Sequence, residues 1–424
     1  MDWLQFIVFL LFVFMYGWVA YSIPIVVTGI RRMLRVGRDS RVCRGGKRRS
    51  DELPSISIIV PVKDEEKVIG RLINSLLRFD YPKDKMEIII VEDGSKDRTR
   101  EICERYARLH PNLIKFFHRD SSNGKPSALN YGFNHASGEL IGIFDADNVP
   151  QPDTLRRVVE YFRDPSVAAV QGTTCAINAD ENMLTKLVSY EETIFFKNYV
   201  QGKDALDLFV PLTGSCQFIR RDIMEMLGHW DEGCLAEDLE MSARIIEGGY
   251  RVKYAPDVIS WQEVPSKIPV LVKQRLRWSR GYMQVAVKYG RLLKRFERRA
   301  LDAELTLIGP FVQALFLLNY FVWAYFYWTK IQLDPILITM MNFTLLMTMV
   351  SLLITGVALA YIVRPWSIRN LLWLPFIYIY WNLQCLITFY ALLQMVLRRP
   401  ARWVKTVKTG RCTKTDILAE SVTS

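Results

Sequence analysis

From Trp3 to Ile30 the chain carries no charged residue, a run longer than the roughly 20 apolar residues that cross a bilayer. A secretory signal would be shorter and would carry its basic residues in front. Here Arg31, Arg32, Arg35, Arg38, Arg41, Arg44, Lys47, Arg48 and Arg49 follow the run, opposed only by Asp39. The pattern predicts a membrane helix over 1–30 with its amino terminus outside, then a basic cytoplasmic linker over 31–54. Directly after a span, such a basic run fits topology and contact with anionic lipid better than it fits a nucleic-acid partner. Three further stretches, approximately 304–328, 335–363 and 370–397, are almost free of charge. They define a membrane region over 301–400. Whatever folds between these ends is tethered to a membrane on both sides.

The crossings do not balance. From a cytoplasmic middle domain, three spans would leave the carboxyl terminus outside. Yet Arg398, Arg399, Arg402, Lys405, Lys408 and Arg411 follow the last stretch, and a basic tail over 401–424 belongs inside. One of the three stretches is therefore expected to lie in the interface. Pro375 and the Trp381-Asn382-Leu383-Gln384 interruption point to the last, and Asp302 and Glu304 to the first. The net charge of +11 and the half-apolar composition average over this split. Seven cysteines without a CxxC pair, and no histidine at ligand spacing, argue against a zinc site or a disulfide framework.

The middle of the chain alternates β-branched runs with amphipathic ones. Ser55–Pro61, Met86–Val91 and Leu113–His118 read as strands, with helices over about 64–78 and 98–109 between them. Alternation of this kind implies a parallel sheet with helices on both faces, and ligands then sit beyond the carboxyl ends of the strands. Pro61, Glu65 and Asp93 lie at such ends. No GxxxxGK[ST] or GxGxxG occurs, so the chain lacks the usual glycine-rich phosphate loops. A further strand, Gly138 to Phe144, runs into Asp145-Ala146-Asp147. Residues two apart in extended chain face the same way, so both carboxylates can serve one Mg²⁺ or Mn²⁺ that also takes phosphate oxygens.

Downstream stand Thr213-Gly214-Ser215, Ala236-Glu237-Asp238 at a helix start, and Gln274-Arg275-Leu276-Arg277-Trp278. On a helix, Gln274, Arg277 and Trp278 share one face, in a charge-rich segment over 266–300 suited to a membrane surface.

Taken in order, these segments resemble the family-2 glycosyltransferases with the GT-A fold, an α/β, Rossmann-like architecture, over residues 55–290, with the GT-A domain itself expected over 55–265. The QxxRW segment resembles the branch that holds cellulose, hyaluronan, chitin and poly-N-acetylglucosamine synthases. The resemblance implies that Glu65 and Asp93 hold the nucleoside and that Lys125 of Gly124-Lys125-Pro126 approaches the diphosphate. It implies that Asp145 and Asp147 carry the metal, and that Thr213 and Gly214 lie against the acceptor sugar. It places Glu237 and Asp238 at the catalytic centre, with Asp238 the general base. It sets Gln274, Arg277 and Trp278 between diphosphate and acceptor. Many members carry an aromatic residue where this chain has Lys63; the expected nucleotide remains UDP. The implied activity is inverting transfer of a hexose or N-acetylhexosamine to a β-linked polysaccharide at the plasma membrane, guided outward by this chain alone or with a second copy or secretion partner. Two other readings stay open: addition of one sugar to a lipid-linked acceptor, and a degenerate domain that only binds.

Overall fold

The computed structural model describes residues 3–36, 53–290, 297–362, 367–400 and 405–413. Most of the basic linker and the chain beyond residue 413 lie outside the described residues.

Among the described residues, eight strands form one sheet: β1 (Ile56–Val62), β2 (Met86–Asp93), β3 (Ile114–Arg119), β4 (Leu140–Ile143), β5 (Val149–Pro150), β6 (Val167–Ala176), β7 (Gln217–Arg220) and β8 (Arg251–Gln262). Their order is β3-β2-β1-β4-β7-β6-β8-β5. The β1 run is apolar on consecutive residues because both its faces are covered. Ile58 and Val60 pack into the core on one side, and Ile59 into the core on the other, as the two-residue period of a strand requires.

The sheet is mixed rather than parallel throughout. β3, β2, β1 and β4 run parallel, while β7 lies antiparallel between β4 and β6. This inversion positions the site. The strand order reverses beside β1, which opens a crevice at the carboxyl ends of β1, β2 and β4. The antiparallel β7 brings its amino-terminal end, preceded by Thr213 to Cys216, to that same edge.

Two expected elements differ locally. The first helix spans Ile69–Leu77 instead of starting at Asp64, because Asp64 adopts a left-handed φ of 51° and the chain turns before the helix begins. Asp145 and Asp147 stand on a turn closed by Asn148 N–H donating to the Asp145 carbonyl at 3.0 Å, after β4 has ended at Ile143. The strand period therefore does not set their directions.

Among the described residues, four helices are long and apolar enough to cross a membrane: Gln5–Met33, Gly309–Thr329, Pro335–Ala360 and Ile368–Val396. Their ends report how they lie. Val8 and Phe12 of the first pack with Phe326, Leu337 and Met341, so the end of the second helix and the start of the third meet beside the start of the first. Leu359 of the third packs with Val188, Val264 and Leu271 of that domain. The last helix touches the domain along its length. Tyr380 donates to Glu191 at 2.6 Å, Ser279 and Thr388 hydroxyls are 3.2 Å apart, and Arg280 reaches Gln394 at 3.2 Å and the Arg399 carbonyl at 2.6 Å. The Trp381–Gln384 interruption is regular helix, with Pro375 in its first turn. Asp302 and Glu304 belong to a separate helix, Arg298–Leu307. There Asp302 pairs with the fully buried Lys203 at 2.7 Å and accepts from Tyr21 of the first apolar helix. That joint fixes the apolar helix to the domain.

Candidate active site

A cavity of about 760 Å³ opens at the carboxyl edge of the sheet. Every residue expected to bind donor, metal or acceptor lines it: Pro61, Glu65, Asp93, Lys125, Asp145, Asp147, Thr213, Gly214, Glu237, Asp238, Gln274, Arg277 and Trp278. Lys63 lines it too.

On the side expected to hold the donor, Asp93 ends β2. Its Oδ2 accepts from Ser122 Oγ at 2.5 Å and its Oδ1 lies 3.4 Å from Arg119 Nε. Lys125 begins a helix (Lys125–Asn134) and ties three segments together. Its Nζ lies 2.7 Å from Asp145 Oδ1 and 3.5 Å from Glu237 Oε1, and donates to the Gly214 carbonyl at 2.9 Å. Burial works against its charge, but Asp145 and Glu237 outweigh that cost and hold the ammonium protonated.

Gly214 has a φ of +84°, and a Cβ there would lie 2.9 Å from Asp238 Oδ2 and 3.2 Å from Lys125 Nζ. Only glycine lets this turn come so close to the proposed base. Asp238 opens the helix Glu237–Glu247. Burial, reinforced by Glu237 and opposed by Lys125, pushes its carboxyl up to about 7.

The QxxRW helix, Ile268–Tyr289, docks against this corner. Gln284 Oε1 accepts from Leu235 N–H at 3.1 Å. A Cβ on Gly281 would meet Ala236 Cβ at 2.7 Å, so a larger residue would push the helix off the Glu237–Asp238 turn. Arg275, the first variable position of the motif, lies 4.3 Å above the Trp278 ring.

The sequence reading missed a second layer of site residues. Residues 405–413, assigned only to a basic tail, cross the mouth of the site. Lys408 Nζ lies 2.6 Å from Asp147 Oδ2 and donates to the Glu263 carbonyl at 2.8 Å. Lys405 lies 3.1 Å from Glu65 and donates to the Asp64 carbonyl. Glu263 fastens the strap, accepting from Thr409 Oγ1 at 2.8 Å and from Gly410 N–H at 2.9 Å. Burial penalises the Asp147 charge, yet Lys408 holds that carboxyl below the usual range. Burial lifts the Glu65 carboxyl to about 8 against the pull of Lys405. The unbalanced crossings were the one available signal: a tail required on the domain's side of the membrane is free to reach the domain.

Asp145 and Asp147 can supply only part of a metal ion's shell. Among the described residues no cluster of three His, Cys, Asp or Glu side chains could hold an ion unaided. Two carboxylates beside an expected diphosphate fit Mg²⁺ or Mn²⁺, which complete their shells with phosphate oxygens and water; they do not fit a closed structural zinc site.

Residues 54–281 match the profile of the glycosyltransferase-like family 2. The β-monoglucosyldiacylglycerol synthase of Synechocystis sp. is 33% identical over 56% of this chain and 50% of its own length. The poly-β-1,6-N-acetyl-D-glucosamine synthase of Staphylococcus aureus (strain COL) is 30% identical over 67% of each. The chain thus spans about half the length of the glucolipid synthases it matches. Among solved structures, the mannosyltransferase PcManGT from Pyrobaculum calidifontis, in complex with GDP-Man and Mn²⁺, aligns with a TM-score of 0.58 over 92% of this chain and all of that one, at 21% identity. With its Rossmann-like sheet and its helices fit for a membrane, the chain has the GT-A fold and belongs to the glycosyltransferase-like family 2.

Proposed function

We propose that this chain transfers a hexose or N-acetylhexosamine from a nucleotide sugar, UDP-linked in our reading, to a growing β-linked polysaccharide at the cytoplasmic face of the plasma membrane. The observation that carries this is one shared cavity. It holds the donor-side carboxylates and Asp238, and it continues among Trp18, Gln313, Trp381, Gln384 and Thr388 of the apolar helices. Aromatic faces and amides there suit a sugar chain better than an acyl chain.

Asp238 takes the proton of the acceptor hydroxyl as that oxygen attacks the anomeric carbon. The bond from that carbon to the diphosphate oxygen breaks on the opposite face, so an α-linked donor gives a β-linked product. Its burial and its raised pKa leave Asp238 basic enough to accept a proton near neutrality. Lys125 and Arg277 supply positive charge where the diphosphate departs, and Lys125 also aligns Glu237 and Asp145. Asp145 and Asp147 would hold a Mg²⁺ or Mn²⁺, which when bound neutralises diphosphate charge. Lys408 now neutralises Asp147, so the strap and an arriving cation compete for one carboxylate.

The helix ends support three crossings. The first, second and third apolar helices span, while Ile368–Val396 lies along the membrane face beside the QxxRW helix. In this reading the amino terminus is outside, the strap lies on the catalytic side, and the crossings balance.

A second reading, transfer of one sugar to a glycolipid, is favoured by the opening of the cavity among membrane helices and by the likeness to a glucolipid synthase. Membranes holding the chain, given a panel of labelled UDP-sugars, separate the two. A product ladder of rising size supports polymerisation; a lipid carrying a single sugar excludes it.

A further inference from the structure

One acidic side chain of the cavity has no part in the mechanism above. Glu192, near the end of the helix Met183–Ile194, lines the cavity together with Asp145, Asp238 and Trp278. Its Oε1 accepts from Gln262 Nε2 at 2.9 Å. Its Oε2 is buried with no hydrogen-bond partner among the described residues. Buried polar atoms nearly always find a partner in a native fold. Thr213 Oγ1 and Gln274 Oε1 share the condition on the same cavity, and both belong to residues expected to meet the sugars.

The neighbours are already committed. Glu191 Oε2 accepts from Arg275 at 2.5 Å and from Tyr380 at 2.6 Å, which steadies Arg275 over Trp278. Directly after Ile194 the helix widens into a π-helical turn, Phe195–Val200, and Phe195, Phe196 and Tyr199 also face the cavity. Such turns recur at functional sites. Arg275, Glu191 and Lys408 are the charged groups around Glu192.

We propose that Glu192 contacts the acceptor, with its unpartnered Oε2 hydrogen-bonded to a ring hydroxyl of the sugar that stacks near Trp278. This rests on the reading above that the acceptor is a sugar. Its chemistry suits an uncharged, hydroxyl-rich ring, because the local cations are already paired with carboxylates.

The test uses the full chain in nanodiscs, with UDP-glucose or UDP-N-acetylglucosamine as donor and cellobiose or diacetylchitobiose as acceptor. Glu192→Ala is expected to raise acceptor KM about tenfold, the cost of one hydrogen bond to a charged group. Donor KM and the slow release of UDP without acceptor should stay within about twofold of wild type. Glu192→Asp, which withdraws the carboxyl by one methylene, should give an intermediate KM, and it serves alone if the alanine variant fails to fold. Unchanged acceptor KM in either variant overturns the proposal. So does a parallel change in donor KM and UDP release, which marks a scaffold role. Failure of the wild-type chain to glycosylate either disaccharide overturns the sugar-acceptor reading itself.

Discussion

The proposed donor half of the cavity and the proposed acceptor half are built by different means. The donor half hangs on neighbouring strands: β1, β2 and β4 end side by side, and their last residues and the loops after them deliver Glu65, Asp93 and Asp145 within 81 residues of chain. The acceptor half is assembled from segments far apart in sequence. The Glu237–Asp238 turn is pressed by a helix whose Gly281 lies 45 residues beyond Ala236, and Arg275, stacked on Trp278, is held by Glu191, 84 residues away. Local geometry fixes the first; long-range packing fixes the second. Substitutions on the donor side should therefore act on donor KM, and those on the acceptor side on kcat and on acceptor KM.

The largest expected effect is at the base. Asp238→Asn should lower kcat by about 10²- to 10⁴-fold while leaving UDP binding by calorimetry near wild type; loss of UDP binding would break the division between the halves. Next is Gly214→Ala, whose Cβ would crowd Asp238 and Lys125. A displacement of this kind costs on the order of 10²-fold in kcat, measured as sugar incorporation at saturating donor. The rate should also depend on pH through Asp238. Its carboxyl, raised to about 7, is in the proposed mechanism the base when ionised. Turnover should therefore be full above pH 7 and fall about tenfold per unit below it; a profile flat down to pH 5 would remove Asp238 from the role. The smallest effect is at the strap. Lys408→Ala frees Asp147, so the Mn²⁺ concentration for half-maximal activity should fall severalfold. A rise instead would make Lys408 part of the donor site rather than a competitor for its carboxylate.

The same division explains what could be read in the sequence. Runs such as Ile56 to Val60 and Met86 to Val91 carry their strand character in their own composition, and the acids that follow them are placed by strand ends alone. Asp145 and Asp147 were legible as a pair, but their directions were not, because a turn and not the strand period aims them. Lys405 and Lys408 carry no local signature. Their partners, Glu65, Asp147 and Glu263, become neighbours only once the last apolar helix has returned the chain to the domain. The antiparallel insertion of β7 was hidden for the same reason. A four-residue strand between two helices says nothing of its direction, which is set by pairing to β4 and β6. Glu192 escaped because an acid inside an amphipathic helix is ordinary until its burial is seen.

In the proposed mechanism one buried base, Asp238, drives one displacement at the anomeric carbon. The anomeric configuration of the product made from an α-linked UDP-sugar, read by proton NMR, tests this. Single displacement gives a β linkage throughout; an α linkage requires a second displacement or another nucleophile and rules the mechanism out.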